Sequence, residues 1–297
     1  MTTLNQNILL ASGDYFAAGL CLTPELFDAD FPATEYKTAN SFEFSRFVST
    51  EKELTYVEED LGESRIVRLV ALIKHNFSYL SKWRIRLAES REDLTAAPIF
   101  DSGWVNVFPP SYGDGELEWG EFDWGGLTSE DLVEGQNREA YYPMAETQYA
   151  RFVRIDFDDE AGVGSRPDSW LQFARLWISN AYQPSLNVAY GAEVIPIDDT
   201  EVKKSRSGVR HYDPLVVKSR AISVTFENLP AKELMYRIFG LISMRLGVSK
   251  ELVVLLQPLD PETFTFEALY GNLKEPGKAS HTWWVRMSSQ LLIEAAV

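Results

Sequence analysis

Cysteine is all but absent from this chain: Cys21 is the single one in 297 residues. No intrachain disulfide can form, so stability has to come from packed cores, and the composition fits folding in a reducing cytoplasm. Cys21 has no neighbouring His or second Cys and reads as a small buried residue rather than a nucleophile. Histidine is nearly as scarce, and His75, His211 and His281 lie far apart in sequence. No H-E-x-x-H, G-x-S-x-G, Walker A or C-x-x-C spacing occurs, and Gly162-Val163-Gly164 is too short for a dinucleotide loop. An enzyme would need a site that only the folded chain assembles, so a non-enzymatic role is expected. No apolar run reaches 18 residues, which argues against a transmembrane helix and membrane insertion. Met1 to Leu20 lacks a basic start and is interrupted by Asp14, unlike a secretory signal.

Positive charge is also in short supply. The net charge is −16, and residues 1–182 carry 15 Lys/Arg against 31 Asp/Glu, whereas residues 183–297 carry 13 of each. Phosphate binding needs a basic footprint, so nucleic acid is excluded as a partner. The break in charge places a domain boundary near residue 182, giving domains of 1–182 and 183–297.

What the chain does have is apolar and aromatic residues, 45% hydrophobic with 8 Trp, 13 Tyr and 17 Phe, enough for real cores. Ile66 to Ile73 is a nearly unbroken Val/Ile/Leu run, interrupted only by Arg68, the pattern of a strand buried on both faces, with a short core helix as the alternative that periodicity leaves open. Lys82 to Leu87 alternates strictly, with Trp83, Ile85 and Leu87 on a dry face and Lys82, Arg84 and Arg86 on a wet one. Tyr149–Asp159 and Trp170–Ser179 alternate likewise, and Asn5–Leu10 and Phe42–Phe47 add shorter strands. Trp83, Ile85, Val153, Ile155, Leu176 and Ile178 are predicted to share one sandwich interior. Glu51 to Glu63 reads as an acidic exposed loop or edge. After a linker at Ala181–Tyr190, the spacing predicts strands at Ala221–Phe226, Glu251–Gln257, Thr263–Tyr270 and His281–Glu294. Between them, Pro230–Leu246 reads as a helix with apolar residues at 234, 235, 238, 239, 242 and 246 and Gly247 as its stop. That order is α+β.

Several words of sequence carry a family resemblance. The buried strand, then His75-Asn76-Phe77-Ser78, then Trp83-Arg84-Ile85-Arg86-Leu87, then Asp101-Ser102-Gly103-Trp104, resemble the N-terminal module of bacteriophage tail proteins with a galactose-binding-like (discoidin-type) jelly roll. The closing strands YARFVRIDFDD and WLQFARLWIS are similar to that family's last two strands. The second domain, by element order and Tyr270-Gly271, resembles the small β-barrel with one helix of tail-tube and distal-tail proteins. The resemblance implies a mainly β chain with an α+β part: an N-terminal jelly-roll β-sandwich and a C-terminal small β-barrel-like domain. It implies a structural component of a phage tail tip or baseplate, made in the host cytoplasm and located in the virion. Its partners would be copies of itself in a ring and other tail proteins.

Three constellations stand out as candidate sites. Gly113–Gly126 and its flank bring Trp119, Trp124, Tyr112 and Phe122 together with acidic residues, suited to packing of the loop onto its own domain, to an intersubunit anchor or, behind both, to stacking on a sugar. Lys203, Lys204, Arg206 and Arg210 form a basic patch in a neutral domain, either a solvated hairpin or a dock for an acidic neighbour. Asp156, Asp158 and Asp159, followed by Glu160, supply oxygens that a structural Ca²⁺ would need, as galactose-binding-like folds often have; the competing reading is a solvated acidic turn. No other cofactor is expected. Two alternative functions stay open: an adhesion module recognising a host surface glycan, and a hydrolase whose carboxylates meet only in space.

Overall fold

The computed structural model describes residues 3–39, 42–109, 138–160, 169–197, 201–204, 210–213, 219–283 and 285–296. Two compact units emerge, Met1–Gln183 with Val254–Ala268, and Pro184–Val253 with Leu269–Val297. A short stretch of the C-terminal half thus belongs to the first unit.

The first unit holds β1 (Leu9–Ser12), β2 (Leu20–Cys21), β3 (Ser45–Arg46), β4 (Tyr56–His75), β5 (Lys82–Ala88), β6 (Phe100–Asp101), β7 (Val105–Asn106), β8 (Glu139–Asp158), β9 (Gln172–Ser179) and β10 (Ala181–Tyr182). Two of these, β4 and β8, run for 20 residues each and pair with one another along most of that length. The first part of β4 (Tyr56–Asp60) pairs with the last part of β8, which pairs onward with β5, while β2 flanks β4 on the other side. The last part of β4 (Leu69–His75) lies between the start of β8 and β9, and β9 pairs with β3. Register shifts between Asp60 and Arg65, and again between Val67 and Leu69, interrupt this pairing, and irregularities of that kind bend and twist a strand pair. All of these pairings are antiparallel, and the result is a jelly-roll sandwich.

Pleat decides what faces inward. Val57, Leu61, Val70, Leu72, Trp83, Ile85, Leu87, Val153, Ile155, Phe157, Leu176 and Ile178 form one buried cluster, which contains all six residues anticipated from the alternation. Phe16, Phe27, Tyr36, Phe47 and Phe173 close one end of it, with ring centroids 4.9–6.3 Å apart. Leu69, Ala71 and Ile73, on the opposite face of β4, are fully buried as well, which is why this stretch carries no polar alternation. Over the start of β8, Tyr141 meets Phe264 edge-to-face at 6.3 Å.

Glu51–Glu63 departs from its expected exposed loop. Only Lys52–Leu54 is a 3-10 turn, and from Tyr56 onward the segment is strand, with Glu58 and Glu59 buried. Acidic composition concealed a strand whose carboxylates are compensated by cations from distant segments.

The second unit holds β11 (Glu193–Ile197), the hairpin β12 (Glu201–Lys204) with β13 (Arg210–Asp213), β14 (Ser219–Pro230), β17 (Lys278–Trp283) and β18 (Arg286–Ala295), together with β15 (Glu251–Leu255) and β16 (Ala268–Leu273) except for Val254, Leu255 and Ala268, which fall in the first unit. β14 pairs with β11 on one side and β18 on the other, and β18 also takes β16 and β17. No closed barrel forms among the described residues, so the barrel-like expectation is corrected to an open antiparallel sheet. Thr263–Tyr270, expected as a strand, begins instead with a short helix, Phe264–Glu267, and is extended only from Ala268. The expected helix exists as Ala231–Glu233 followed by Leu234–Leu246, but the latter is wound as a π-helix, with Gly247 N–H donating to the Ile242 carbonyl at 3.3 Å. Leu234, Ile238 and Ile242 are buried, whereas Met235 of the expected stripe is exposed.

Candidate functional site

The outer face of the β4–β8–β5 sheet is where the first unit spends its charge. Residues of even number face outward here, and register sets Glu58 beside Arg154, Arg154 beside Arg86, and Asp156 beside Arg84. Arg154 bridges Glu58 (2.8 Å) and Asp156 (2.8 Å), Arg86 donates to Asp156 (2.6 Å), and Arg91 donates to Glu58 (2.9 Å). Arg151 pairs with Asp60 (2.7 Å) and holds its carboxyl below the usual range. Arg86, expected on a wet face, is therefore buried, since its guanidinium has Asp156 and the Leu94 carbonyl (3.1 Å) as partners. The belt is closed on itself and offers little to a ligand.

At one end of this belt a different arrangement appears. Asp101-Ser102-Gly103-Trp104 forms a preset turn: Asp101 Oδ1 accepts the Gly103 N–H (2.9 Å) and Arg84 Nε (2.9 Å), and Ser102 Oγ accepts the Ile85 N–H (2.8 Å). Gly103 has φ +65°, a conformation open to glycine and costly for other residues. Arg84 pulls the Asp101 carboxyl below its ordinary value, so this bracing anion persists into mild acid. The turn leaves Trp104 38% exposed. Lys52, from the 3-10 turn before β4, lies with Nζ 4.4 Å from the Trp104 ring centroid and is ion-paired with Asp158 at the end of β8. The Lys52 N–H donates to Glu160 (3.4 Å). On β5, exposed Lys82 is flanked in register by Asn106 of β7 and Asp158. An aromatic face, two ammonium groups, an amide and two carboxylates thus share one rim, delivered by four separate segments.

A second cluster lies inside. Glu59, on the inward face of β4, is fully buried; its carboxylate accepts from Tyr36 Oη (2.9 Å) and from Lys37 Nζ, which also donates to the Gly19 carbonyl (2.9 Å). Burial outweighs these donors and pushes the Glu59 carboxyl up to about 7. Asp14 accepts from the Phe16 N–H (3.0 Å), the Ile178 N–H (3.2 Å) and Arg175 (3.2 Å), and burial raises it to about 6. These carboxylates fasten the N-terminal segment to the sandwich. A Cβ at Gly19 would lie 2.8 Å from Glu59 Oε1, so the cover fits closely. His75, fully buried against Phe77 and Phe108 (centroids 5.2 and 5.1 Å), is held neutral by burial, its pKa lowered to about 3.

The residues singled out from sequence are distributed unevenly. Tyr112, Trp119, Phe122, Trp124 and Arg206 lie outside the described residues. Lys203, Lys204 and Arg210 are exposed on the β12–β13 hairpin, Lys204 opposite Arg210 and Lys203 opposite His211. Asp156, Asp158 and Asp159 are not gathered around a common point. Asp156 is taken by Arg86 and Arg154, Asp158 by Lys52, and Asp159 by the Ser78 N–H (3.2 Å) and hydroxyl. Among the described residues no three His, Cys, Asp or Glu side chains are grouped to hold a metal ion. The rim itself was only half visible beforehand: the D-S-G-W turn is a local signal for a presented Trp104, whereas Lys52 and Asp158 reach it through long-range pairing.

No protein-family model matches the chain, and no curated protein matches it either. Among solved structures the chain is similar to the family 32 CBM from C. perfringens NanJ in complex with galactose, at 10% identity and a TM-score of 0.36, covering 58% of this chain and 99% of that one. It is similar to a Streptococcus pneumoniae fucose binding module at 12% identity and a TM-score of 0.33, covering 57% and 95%. A fucolectin from striped bass (Morone saxatilis) serum shares 13% identity at a TM-score of 0.35, covering 75% of each chain. Likenesses at these levels carry no ligand and no residue role across.

Proposed function

We propose that the chain is a non-catalytic carbohydrate-binding protein whose first unit meets its glycan at the Trp104 rim. The observation that carries this reading is Trp104 itself, an indole presented by a braced turn and surrounded by Lys52, Lys82, Asn106, Asp158 and Glu160. An aromatic face packs against the apolar C–H face of a pyranose, while ammonium, amide and carboxylate groups exchange hydrogen bonds with its hydroxyls. The buried carboxylates elsewhere in the unit are engaged in holding the fold, which favours binding over hydrolysis. Glycan-array screening of the intact chain beside Trp104→Ala tests the reading. Loss of the bound glycans at least tenfold in affinity is expected, on the scale of one stacked aromatic; equal binding by both proteins would remove the rim from consideration.

A second reading is assembly into a phage tail tip or baseplate. It is favoured by the exposed Lys203, Lys204 and Arg210 of the β12–β13 hairpin, which suit an acidic neighbour. It ranks behind glycan binding, whose rim joins an exposed aromatic face to polar and charged groups.

A further inference from the structure

The Trp104 seat is already occupied by a ligand of the chain's own making. Lys52 places a primary ammonium 4.4 Å from the indole centroid and ion-pairs it with Asp158. A cation over an aromatic face with a carboxylate at its side is the chemistry by which proteins recognise ammonium groups. The occupant is loosely held: the Lys52 and Asp158 side chains keep 35% and 20% of their exposure, so one can leave and another ammonium can enter without the fold opening. Of the other cations on aromatic rings, the Lys37 ammonium lies 5.6 Å from the Tyr36 centroid but is ion-paired with fully buried Glu59, and the Lys74 ammonium lies 5.0 Å from the Phe42 centroid. Arg46 lies between Phe31 (3.8 Å) and Trp170 (4.4 Å) and Arg154 over Tyr56 (3.8 Å), each guanidinium additionally bound by Gln172 or by two carboxylates. The surrounding field points the same way, since residues 1–182 hold 31 acids against 15 bases. Such a field attracts cationic ligands and repels uronic, sialic or sulfated sugars.

We propose that Trp104 and Asp158 form a seat for the free amine of a deacetylated amino sugar, with Lys52 as an internal competitor that the ligand displaces. The proposal rests on the reading of this rim as the glycan site and adds the charge of the sugar it takes. Displacement of a tethered group weakens apparent affinity, because the competent state is the fraction with Lys52 swung out.

The test is calorimetric titration of the intact chain and of Lys52→Ala with glucosamine oligomers, their N-acetylated counterparts and neutral galactose and glucose oligomers. Lys52→Ala is expected to bind glucosamine oligomers about tenfold more tightly than the unmodified chain, the size of one half-exposed cation–π and ion-pair contact. The N-acetylated oligomers should show no such gain. Asp158→Asn or Trp104→Ala in the Lys52→Ala background should abolish it, and rising salt should weaken it. Lys52→Gln, which keeps the stem and drops the charge, serves equally if Lys52→Ala melts poorly. No gain toward the free amine, or an equal gain toward the acetylated form, overturns the ammonium seat and leaves glycan binding standing. Failure of both proteins to bind glucosamine oligomers overturns the ammonium seat, while the glycan reading stands or falls on the array.

Discussion

At the scale of single residues, the interior carboxylates make the sharpest case. Glu59 has no exposure and a pKa raised from 4.5 to about 7 by burial, so the folded state holds a proton that the unfolded chain releases above its ordinary pKa. Its contribution to stability is full below about pH 4.5 and is lost as pH rises through about 7. The shift corresponds to about 3 kcal/mol. Asp14, raised from 3.8 to about 6, acts in the same direction over a lower window. Urea unfolding of Glu59→Gln beside the unmodified chain should therefore show a difference that favours the variant progressively between pH 5 and 8; a pH-independent difference would mean that Lys37 and Tyr36, not burial, govern this carboxyl. Gly103→Ala belongs at this scale too. At φ +65° the added Cβ is strained, with a cost of about 1 kcal/mol. The shifted turn should change Trp104 fluorescence; an unchanged spectrum and melt would show that the turn does not set the indole. Ile155, fully buried in the central cluster, should tolerate no charge, and Ile155→Asp is expected to yield no soluble folded protein.

Between elements, the β4–β8–β5 face shows how an acidic chain affords buried carboxylates. Asp156 and Arg86 side chains retain 9% exposure each, and Arg154 ties them to Glu58. Removing one partner strands the other, so Asp156→Ala should cost about 3 kcal/mol by denaturant titration. A loss under 1 kcal/mol would mean that water reaches the belt freely. The β12–β13 hairpin is the opposite case. Exchanging Lys203, Lys204 and Arg210 for Glu should leave the melting temperature within a degree or two, because exposed charges contribute little. If the assembly reading holds, sedimentation at low salt would show the same variant losing an oligomer that the unmodified chain forms.

For the whole molecule, every member of the central aromatic and aliphatic cluster lies within residues 16–178. A 1–183 fragment therefore keeps its core intact and should melt cooperatively as a soluble protein. It lacks Val254–Ala268, and with it Phe264 against Tyr141, so it should melt below the intact chain and regain stability when that stretch is appended. Aggregation of the fragment would show that the appended stretch is part of its folding core.

How much of this was legible beforehand follows from the range of each interaction. Alternation at Trp83, Ile85, Val153 and Ile155 is a local property of the pleat, so it announced the sandwich interior, and the run at Ile66–Ile73, interrupted only by Arg68, announced a strand dry on both faces. The D-S-G-W turn is local too, closed by Asp101 and Gly103 within four residues. Glu58 and Glu59 looked like solvent-facing acids because the Arg154, Arg91, Lys37 and Tyr36 groups that allow their burial come from 22 to 96 residues away. The winding of Leu234–Leu246 likewise escaped a periodicity that assumes α geometry. The candidate site divides along the same line: sequence alone determined that Trp104 follows a turn-forming Asp-Ser-Gly, and only the tertiary structure decided that Lys52 and Asp158, 106 residues apart, meet at its indole, since cross-strand register rather than local spacing sets that encounter.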